Sequence, residues 1–164
     1  MRNITLMNTR EIASGFYSAF AKADAETMIS FYDDKIEFED PAFGKLKGND
    51  AKMMWQMLIE RSRGNLKVSH QLNESSETIA KVNWTAVYPF SKTGRIITNH
   101  IEAIMIMENG KIIKHTDYFN LWKWSRQAMG WKGFILGWTP FFRKKLQQQT
   151  RKMLQQYMRY QPLS

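Results

Sequence analysis

The sequence contains no cysteine, which excludes disulfide bonds, thiolate metal sites and a cysteine nucleophile. This composition fits a reducing compartment. No apolar stretch reaches the roughly 20 residues that a transmembrane helix needs, and the N-terminal stretch lacks the apolar run of a signal peptide. P-loop, dinucleotide-binding and serine-nucleophile motifs are absent as well. We therefore expect a soluble, cytoplasmic protein that needs no cofactor.

Acidic residues are missing from the C-terminal part of the chain. Residues 121–164 hold nine Lys or Arg and no Asp or Glu, while residues 1–120 hold fifteen of each kind, so the net charge of +9 belongs to the tail. Four of the six tryptophans lie in the same tail. The hydrophobic fraction of 43% is sufficient for a packed core. We expect a balanced domain over residues 1–122 and a basic, aromatic helical tail over residues 123–164.

The apolar spacing changes from helical to alternating along the first domain. Helical spacing predicts three helices, which begin near Thr9, after Asp24 and near Asn49 or Asp50. A first strand is expected over Lys35–Asp40, followed by a loop or short edge strand. From Leu66 onward, alternation with a period of two predicts four long strands. Helices followed by antiparallel strands indicate the α+β class.

Histidines and acids interrupt the apolar stripes of the last two strands. His100 and Glu102 share one face of the first of these strands, and His115 and Asp117 share one face of the second. We expect these faces to line the interior. The opposite face of the first strand would then lie outside, and we expect it to pair with a second subunit as a homodimer interface. That face carries Ile97, Ile101, Ala103, Met105 and Met107.

The dipeptide Asn109–Gly110 is a strong signal for a two-residue hairpin between these strands. A flush hairpin would pair Glu108 with Lys111. The same register would bring Glu102 close to Asp117 across the strands. Two carboxylates on an apolar surface do not both ionise readily, because desolvation and like charge each favour the protonated form. Such a pair supplies a hydrogen-bond donor and a base at neutral pH.

Asp40 is a further carboxylate with an unusual position. It shares a strand face with Ile36 and Phe38 and stands just before Pro41. We predict an acid/base site with four catalytic residues: Asp40, Asp117, Glu102 and His100. Other interpretations stay open, because an aspartate before proline often begins a turn and polar residues on a sheet can face solvent. The histidines and acids could also bind a metal, but their spacing is not diagnostic, and we expect no metal site.

The segments "FYDDKIEFEDP" and "NGKIIKHTDYFN", the order of the elements and a glycine before the third helix resemble the nuclear transport factor 2-like superfamily. The nearest branch is the SnoaL-like proteins, which are similar to polyketide cyclases and ketosteroid isomerases. The resemblance covers roughly residues 9–122. It implies a cone-shaped, curved mixed or antiparallel sheet wrapped around three N-terminal helices, with a deep apolar pocket. We expect a small apolar ligand to contact Phe16, Tyr17, Phe38, Trp55, His115 and Phe119.

The same resemblance implies roles for individual residues. Asp40 falls where ketosteroid isomerases keep a proton-shuttling aspartate, and Glu102 lies near the position of their protonated aspartic acid. Phe16 stands where those enzymes have an oxyanion-binding tyrosine. Asp117 falls where the cyclases carry their acid/base aspartate and where limonene-epoxide hydrolases carry one of two aspartates. The partner arginine of the hydrolases is missing from residues 98–102.

The tail contains a basic amphipathic helix. Its apolar stripe consists of Phe142, Leu146, Thr150, Met153 and Tyr157. The helix could pack on its own domain or on a second subunit, or it could lie on the anionic inner surface of a membrane. A nucleic-acid partner is not expected, since the sequence holds no recognised reading module.

Three functions remain open at this level. The protein could be an enzyme of isomerase, cyclase or hydratase type that moves a proton on a small apolar molecule. It could be a binding protein that uses the same pocket without catalysis. It could also be a membrane-peripheral interaction module in which the tail is the functional part.

Overall fold

A mixed six-stranded sheet and the helices packed on it form the part of the chain that the computed structural model describes, residues 7–161. The first half contains α1 Thr9–Ala21, α2 Ala25–Ser30, β1 Tyr32–Asp40, β2 Gly44–Lys47 and α3 Asn49–Ser62. The second half contains β3 Lys67–Ser75, β4 Ile79–Pro89, β5 Ile96–Glu108, β6 Lys111–Tyr118, α4 Leu121–Met129, α5 Trp131–Leu136 and α6 Pro140–Tyr160. The strand order is β2-β1-β6-β5-β4-β3, in which β1 runs parallel to β6 and the other neighbours are antiparallel. The predicted α+β class and mixed sheet are confirmed.

The helix starts follow local hydrogen bonding. The sequence makes Thr9 a plausible N-cap of α1, but the cap is Asn8, one residue earlier, because Asn8 and Glu11 form a reciprocal capping box. Asp24 caps α2 as expected, since its side chain accepts from the Thr27 amide. The cap of α3 is Gly48, and no side chain there accepts a hydrogen bond.

A β-bulge in β6 decides which residues face the core. The turn at Asn109–Gly110 is present, with both residues at positive φ, and Glu108 pairs with Lys111 as predicted. The register then shifts between Ile106 and Met107, where Ile113 is the extra residue. Beyond this extra residue, every residue of β5 is paired with the β6 residue one position further along than in a flush hairpin, so the two faces of β5 are exchanged relative to β6.

The predicted faces of β5 are therefore wrong. The stripe expected at a subunit interface is the core-facing stripe: Ile97, Ile101, Ala103, Met105 and Met107 are all buried. His100 and Glu102 lie on the opposite, exposed face. A homodimer stays a prediction, but this surface cannot form it because helices of the same chain already cover it.

The tail packs on the cone. Its α6 stripe faces the body, where Leu154 is buried and Met153 and Tyr157 pack against the main core. The expected domain boundary at residue 122 falls inside α4, whose Trp124 is buried beside Ile97 in a second apolar cluster. No helix among residues 7–161 combines the length and apolarity required to span a bilayer.

Candidate functional site

The concave side of the sheet gathers polar groups within an aromatic interior. His115 and Asp117 lie two residues apart on β6, so both point to the same face. The neighbouring strand β1 runs parallel to β6 and places Phe38 beside His115. Asp40 follows two residues later on the same face of β1. Both β6 side chains are almost fully buried, with relative exposures of 0% for His115 and 4% for Asp117. A histidine and a carboxylate this deep must find partners within the protein.

A chain of hydrogen bonds crosses the interior to reach Asp117. Trp55 Nε1 donates to the hydroxyl of Tyr32 at 2.8 Å, and that hydroxyl lies 2.7 Å from His115 Nδ1. His115 Nε2 lies 2.9 Å from Asp117 Oδ1. Since the Tyr32 oxygen accepts from the indole, its own proton is best directed at Nδ1. The imidazole then carries its proton on Nε2, and this N–H donates a hydrogen bond to the carboxylate.

Aromatic rings fix the imidazole in this orientation. Trp55 stacks on His115 with the ring planes 22° apart, and Phe16 and Phe38 meet it edge to face. Tyr17 adds a hydroxyl 3.4 Å from Nε2. Burial, with a smaller contribution from the charge of Asp117, raises the pKa of Tyr17 well above its usual value, so this phenol stays uncharged.

Asp117 keeps one oxygen for another partner. The second donor to its carboxylate is Trp84 Nε1, at 3.3 Å, and it also reaches Oδ1. Within residues 7–161, no donor lies on Oδ2, and this atom is not among the fully buried polar atoms that lack a partner. Oδ2 is therefore the oxygen of this nearly buried carboxylate that can still accept a hydrogen bond. The two donors on Oδ1 hold the plane of the carboxylate while leaving Oδ2 available.

Asp40 is a carboxyl group whose acidity is strongly altered by its surroundings. Burial is the largest cause, the charge of Asp117 adds to it, and together they raise the pKa of Asp40 to about 7. Backbone amides of the turn that follows β1 oppose this rise, and the amide of Phe43 donates to Asp40 Oδ1. The turn interpretation of Asp40 is therefore confirmed, whereas its catalytic role stays a prediction that the influence of the Asp117 charge keeps open.

Helix α6 holds that turn from the outside. Gln147 and Thr150 donate to the carbonyls of Pro41 and Ala42, at 3.1 and 2.9 Å. Arg151 Nε donates to the Phe43 carbonyl at 2.9 Å. The position of Asp40 is therefore fixed by its own strand, by the amides of the turn and, through the carbonyls, by the tail.

Two of the four predicted catalytic residues lie elsewhere. His100 and Glu102 project from the exposed face of β5, where His100 Nδ1 pairs with the Thr85 hydroxyl at 2.9 Å. The predicted contact between Glu102 and Asp117 is absent, since Asp117 pairs with Ala103 after the bulge. Among residues 7–161, no group of three or more His, Asp or Glu side chains has a metal-binding arrangement.

Five of the six predicted pocket residues surround the hydrogen-bond chain in the buried interior: Phe16, Tyr17, Phe38, Trp55 and His115. Phe119 lies where the main core meets the second apolar cluster. These side chains pack against one another, so they form the wall behind Asp117 rather than an open chamber around it.

Sequence reasoning missed Tyr32, Trp84 and Tyr88. Trp84 and Tyr88 lie on the core-facing stripe of β4. Burial raises the pKa of Tyr88, and the charge of Asp40 adds a smaller contribution. Helical spacing predicts Tyr32 at the end of α2, but this residue begins β1. The available signal was chemical, since tyrosine and tryptophan on a core-facing stripe each bring a polar group that needs a buried partner.

Comparison with known proteins places this geometry in context. A family model described as SnoaL-like domain matches residues 13–115. A search of curated proteins gives no match. The chain is similar in structure to a nuclear transport factor 2-like protein of unknown function from Burkholderia pseudomallei, with 16% identity, a TM-score of 0.63, and coverage of 75% of this chain and 98% of that one.

Two further solved structures carry names that suggest chemistry. A candidate polyketide cyclase from Pseudomonas putida is 18% identical, with a TM-score of 0.58 and coverage of 74% of this chain and 98% of that one. An epoxide hydrolase of Mycobacterium tuberculosis resembling limonene-epoxide hydrolase is 16% identical, with a TM-score of 0.53 and coverage of 77% and 88%. At these identities the likeness establishes the fold and no reaction.

Proposed function

This chain belongs to the SnoaL-like domain family of nuclear transport factor 2-like proteins, and we propose that its concave site moves a proton on a small apolar molecule. The observation that carries the proposal is a pair of carboxyl groups in the interior: Asp117, whose Oδ2 accepts no hydrogen bond within residues 7–161, and Asp40, whose pKa is raised by burial and by the charge of Asp117. Asp117 serves as the charged base. Asp40 holds or releases a proton near neutral pH.

The environment of each carboxyl fits its role. Asp117 accepts hydrogen bonds from His115 and Trp84 through Oδ1, which leaves Oδ2 to accept a proton from a substrate. Within residues 7–161, Asp40 forms no ion pair with a cationic side chain, and burial favours its protonated form. A substrate between them would meet a base on one side and an acid on the other. Isomerisation, cyclisation and addition of water to an epoxide all require such a pair.

The substrate class follows from the surroundings. The interior around Asp117 is aromatic, and Trp84, Tyr88 and Phe119 add large side chains to the same apolar clusters. Such walls favour an apolar, uncharged molecule that has one or two oxygens to meet the carboxyl groups. Names of structural neighbours agree with this class, since one is a candidate polyketide cyclase and another an epoxide hydrolase.

Isotope incorporation tests the proposal even when the product is unidentified. The protein is incubated with apolar ketones in deuterated water and with apolar epoxides in ¹⁸O-labelled water, and mass spectrometry detects label in the recovered molecules. Asp40→Asn and Asp117→Asn should each lower incorporation by at least about a hundredfold. Glu102→Gln is the matched control, because Glu102 is an acid of the same sheet on the exposed face.

Two results would contradict catalysis. Equal incorporation by the wild type and both aspartate variants would exclude the two carboxyl groups as acid and base. The second result combines binding with a lack of turnover. If the ketones and epoxides displace an apolar fluorescent probe from the wild type but gain no isotope label, the protein is a non-catalytic binding protein. The hydrogen bond that Asp40 accepts from its own turn makes this second function a real alternative.

A further inference from the structure

The tail carries a group of large apolar side chains that the rest of residues 7–161 leaves largely exposed. We name this group the apolar knob; it consists of Trp131, Phe134, Ile135, Leu136, Trp138 and Phe141. Each is more than half exposed, and Trp131, Trp138 and Phe141 are about 70% exposed. Residues 7–161 contain eleven exposed large apolar side chains, and six of them lie in this stretch of eleven residues. So dense an exposed patch marks an interaction surface.

Close packing against α4 fixes the backbone that carries the knob, so the exposure of these side chains is part of the folded structure. Gly133 and Gly137 approach Ser125 of α4 so closely that a Cβ at either position would overlap it. The Ser125 hydroxyl reaches the Gly133 carbonyl at 3.1 Å, and Trp122 Nε1 donates to the Phe134 carbonyl at 3.0 Å. α5 therefore packs through its glycine face, and its large side chains point outward.

Positive charge lies beside the knob, and the tail that carries it contains no acidic residue. Lys132 lies over the Trp131 ring and Lys145 over the Phe141 ring, at 5.9 and 6.0 Å. An adjoining groove of about 610 Å³ is lined by Arg95, Lys123 and Arg126 and by no acidic residue. None of the ion pairs among residues 7–161 involves a tail residue.

We propose that the apolar knob inserts into the interface of an anionic membrane while the surrounding cations contact the lipid headgroups. Tryptophan at the edges, aliphatic side chains between and flanking Lys and Arg are the composition of interfacial segments. A second copy of the chain fits less well, since pairing two knobs would bring two sets of unneutralised cations together. The inference is independent of the proposed chemistry in the concave site.

Vesicle flotation tests the membrane contact with the full chain. One set of vesicles is phosphatidylcholine alone, and the other contains roughly one-third phosphatidylglycerol. The wild type should float with the anionic vesicles at low salt and be released as salt rises. Trp131→Ser combined with Trp138→Ser should weaken binding by at least about tenfold. Lys144→Glu combined with Lys145→Glu should weaken it comparably, on the anionic vesicles.

Matched controls separate the knob from general surface properties. Tyr160→Ser removes an exposed tail aromatic outside the knob, and Lys67→Glu reverses an exposed charge on β3; neither should change flotation. The altered side chains are exposed, so circular dichroism should show that every variant folds. Absence of flotation on both vesicle types overturns the proposal, and so does equal flotation of the tryptophan variant. Light scattering that shows a dimer lost in that variant would assign the knob to self-association instead.

Discussion

Replacing Asp40 by asparagine tests whether the folded protein keeps this carboxyl protonated near neutral pH. Asparagine has the shape of the protonated acid, and its carbonyl oxygen can still accept from the Phe43 amide. The substitution therefore removes the titration while leaving the turn after β1 in place. Any difference in pH dependence between the two proteins then reports on the Asp40 carboxyl.

The sign and size of the effect follow from the pKa of Asp40, which rises from an ordinary 3.8 to about 7 on folding. Below about pH 4 both states are protonated, and the carboxyl costs nothing. Between about pH 4 and pH 7 the unfolded chain ionises while the folded protein does not, so wild-type stability falls as pH rises. The full difference corresponds to about 4 kcal/mol, and relaxation of a partly accessible turn reduces the expected value to about 2–4 kcal/mol.

Urea unfolding from about pH 4 to about pH 8.5, followed by tryptophan fluorescence, measures the difference. Asp40→Asn should match the wild type at the acidic end and exceed its free energy of unfolding by about 2–4 kcal/mol at the alkaline end. Glu102→Gln, on the exposed face, should follow the wild-type curve throughout. Parallel curves for Asp40→Asn and the wild type would refute the raised pKa, as would an asparagine variant that is less stable at alkaline pH.

Other substitutions test other contacts. Tyr32→Phe removes the hydroxyl that joins two buried nitrogen atoms and should lower the free energy of unfolding by about 2–4 kcal/mol, measured by urea titration. Gly137→Ala would place a Cβ 1.7 Å from the Ser125 hydroxyl, so it should separate α5 from α4 and lower the melting temperature measured by circular dichroism. Arg151→Met should speed hydrogen exchange of the turn amides after β1, because it removes donors to two carbonyls, whereas Lys152→Met should not.

The fold was predictable because its signals are local. Asp24 caps its helix whatever surrounds it, and Asn109–Gly110 makes a hairpin through positive φ at both residues. The alternation of β6 likewise places His115 and Asp117 together, whatever the neighbouring strands do. A resemblance built from many such elements specifies the architecture even where no single motif does.

The error in the site has one physical origin. Extending a flush hairpin along the strands gives the wrong register, because the bulge at Ile113 changes the pairing that follows by one residue. His100 and Glu102 consequently lie on the exposed face and not in the predicted interior. The sequence of β5 itself indicates the buried face. The face that carries Ile97 and Met105 is apolar except for one asparagine, whereas the opposite face carries His100 and Glu102. Bulges cannot be placed by periodicity alone, because they appear only as a conflict between two neighbouring strands.

The domain and the tail differ in composition, but in the folded structure they are joined by hydrogen bonds close to Asp40. Arg151 donates to the carbonyls of Phe43 and Lys45, in the segment whose amides hydrogen-bond to Asp40. Trp124 donates to the hydroxyl of Tyr88, which lies within reach of the charge of Asp40. The tail thus contributes to the surroundings of the acid that we propose for proton transfer. Because α4 supports the apolar knob through Ser125 as well, membrane docking would act on an element that also borders the concave site.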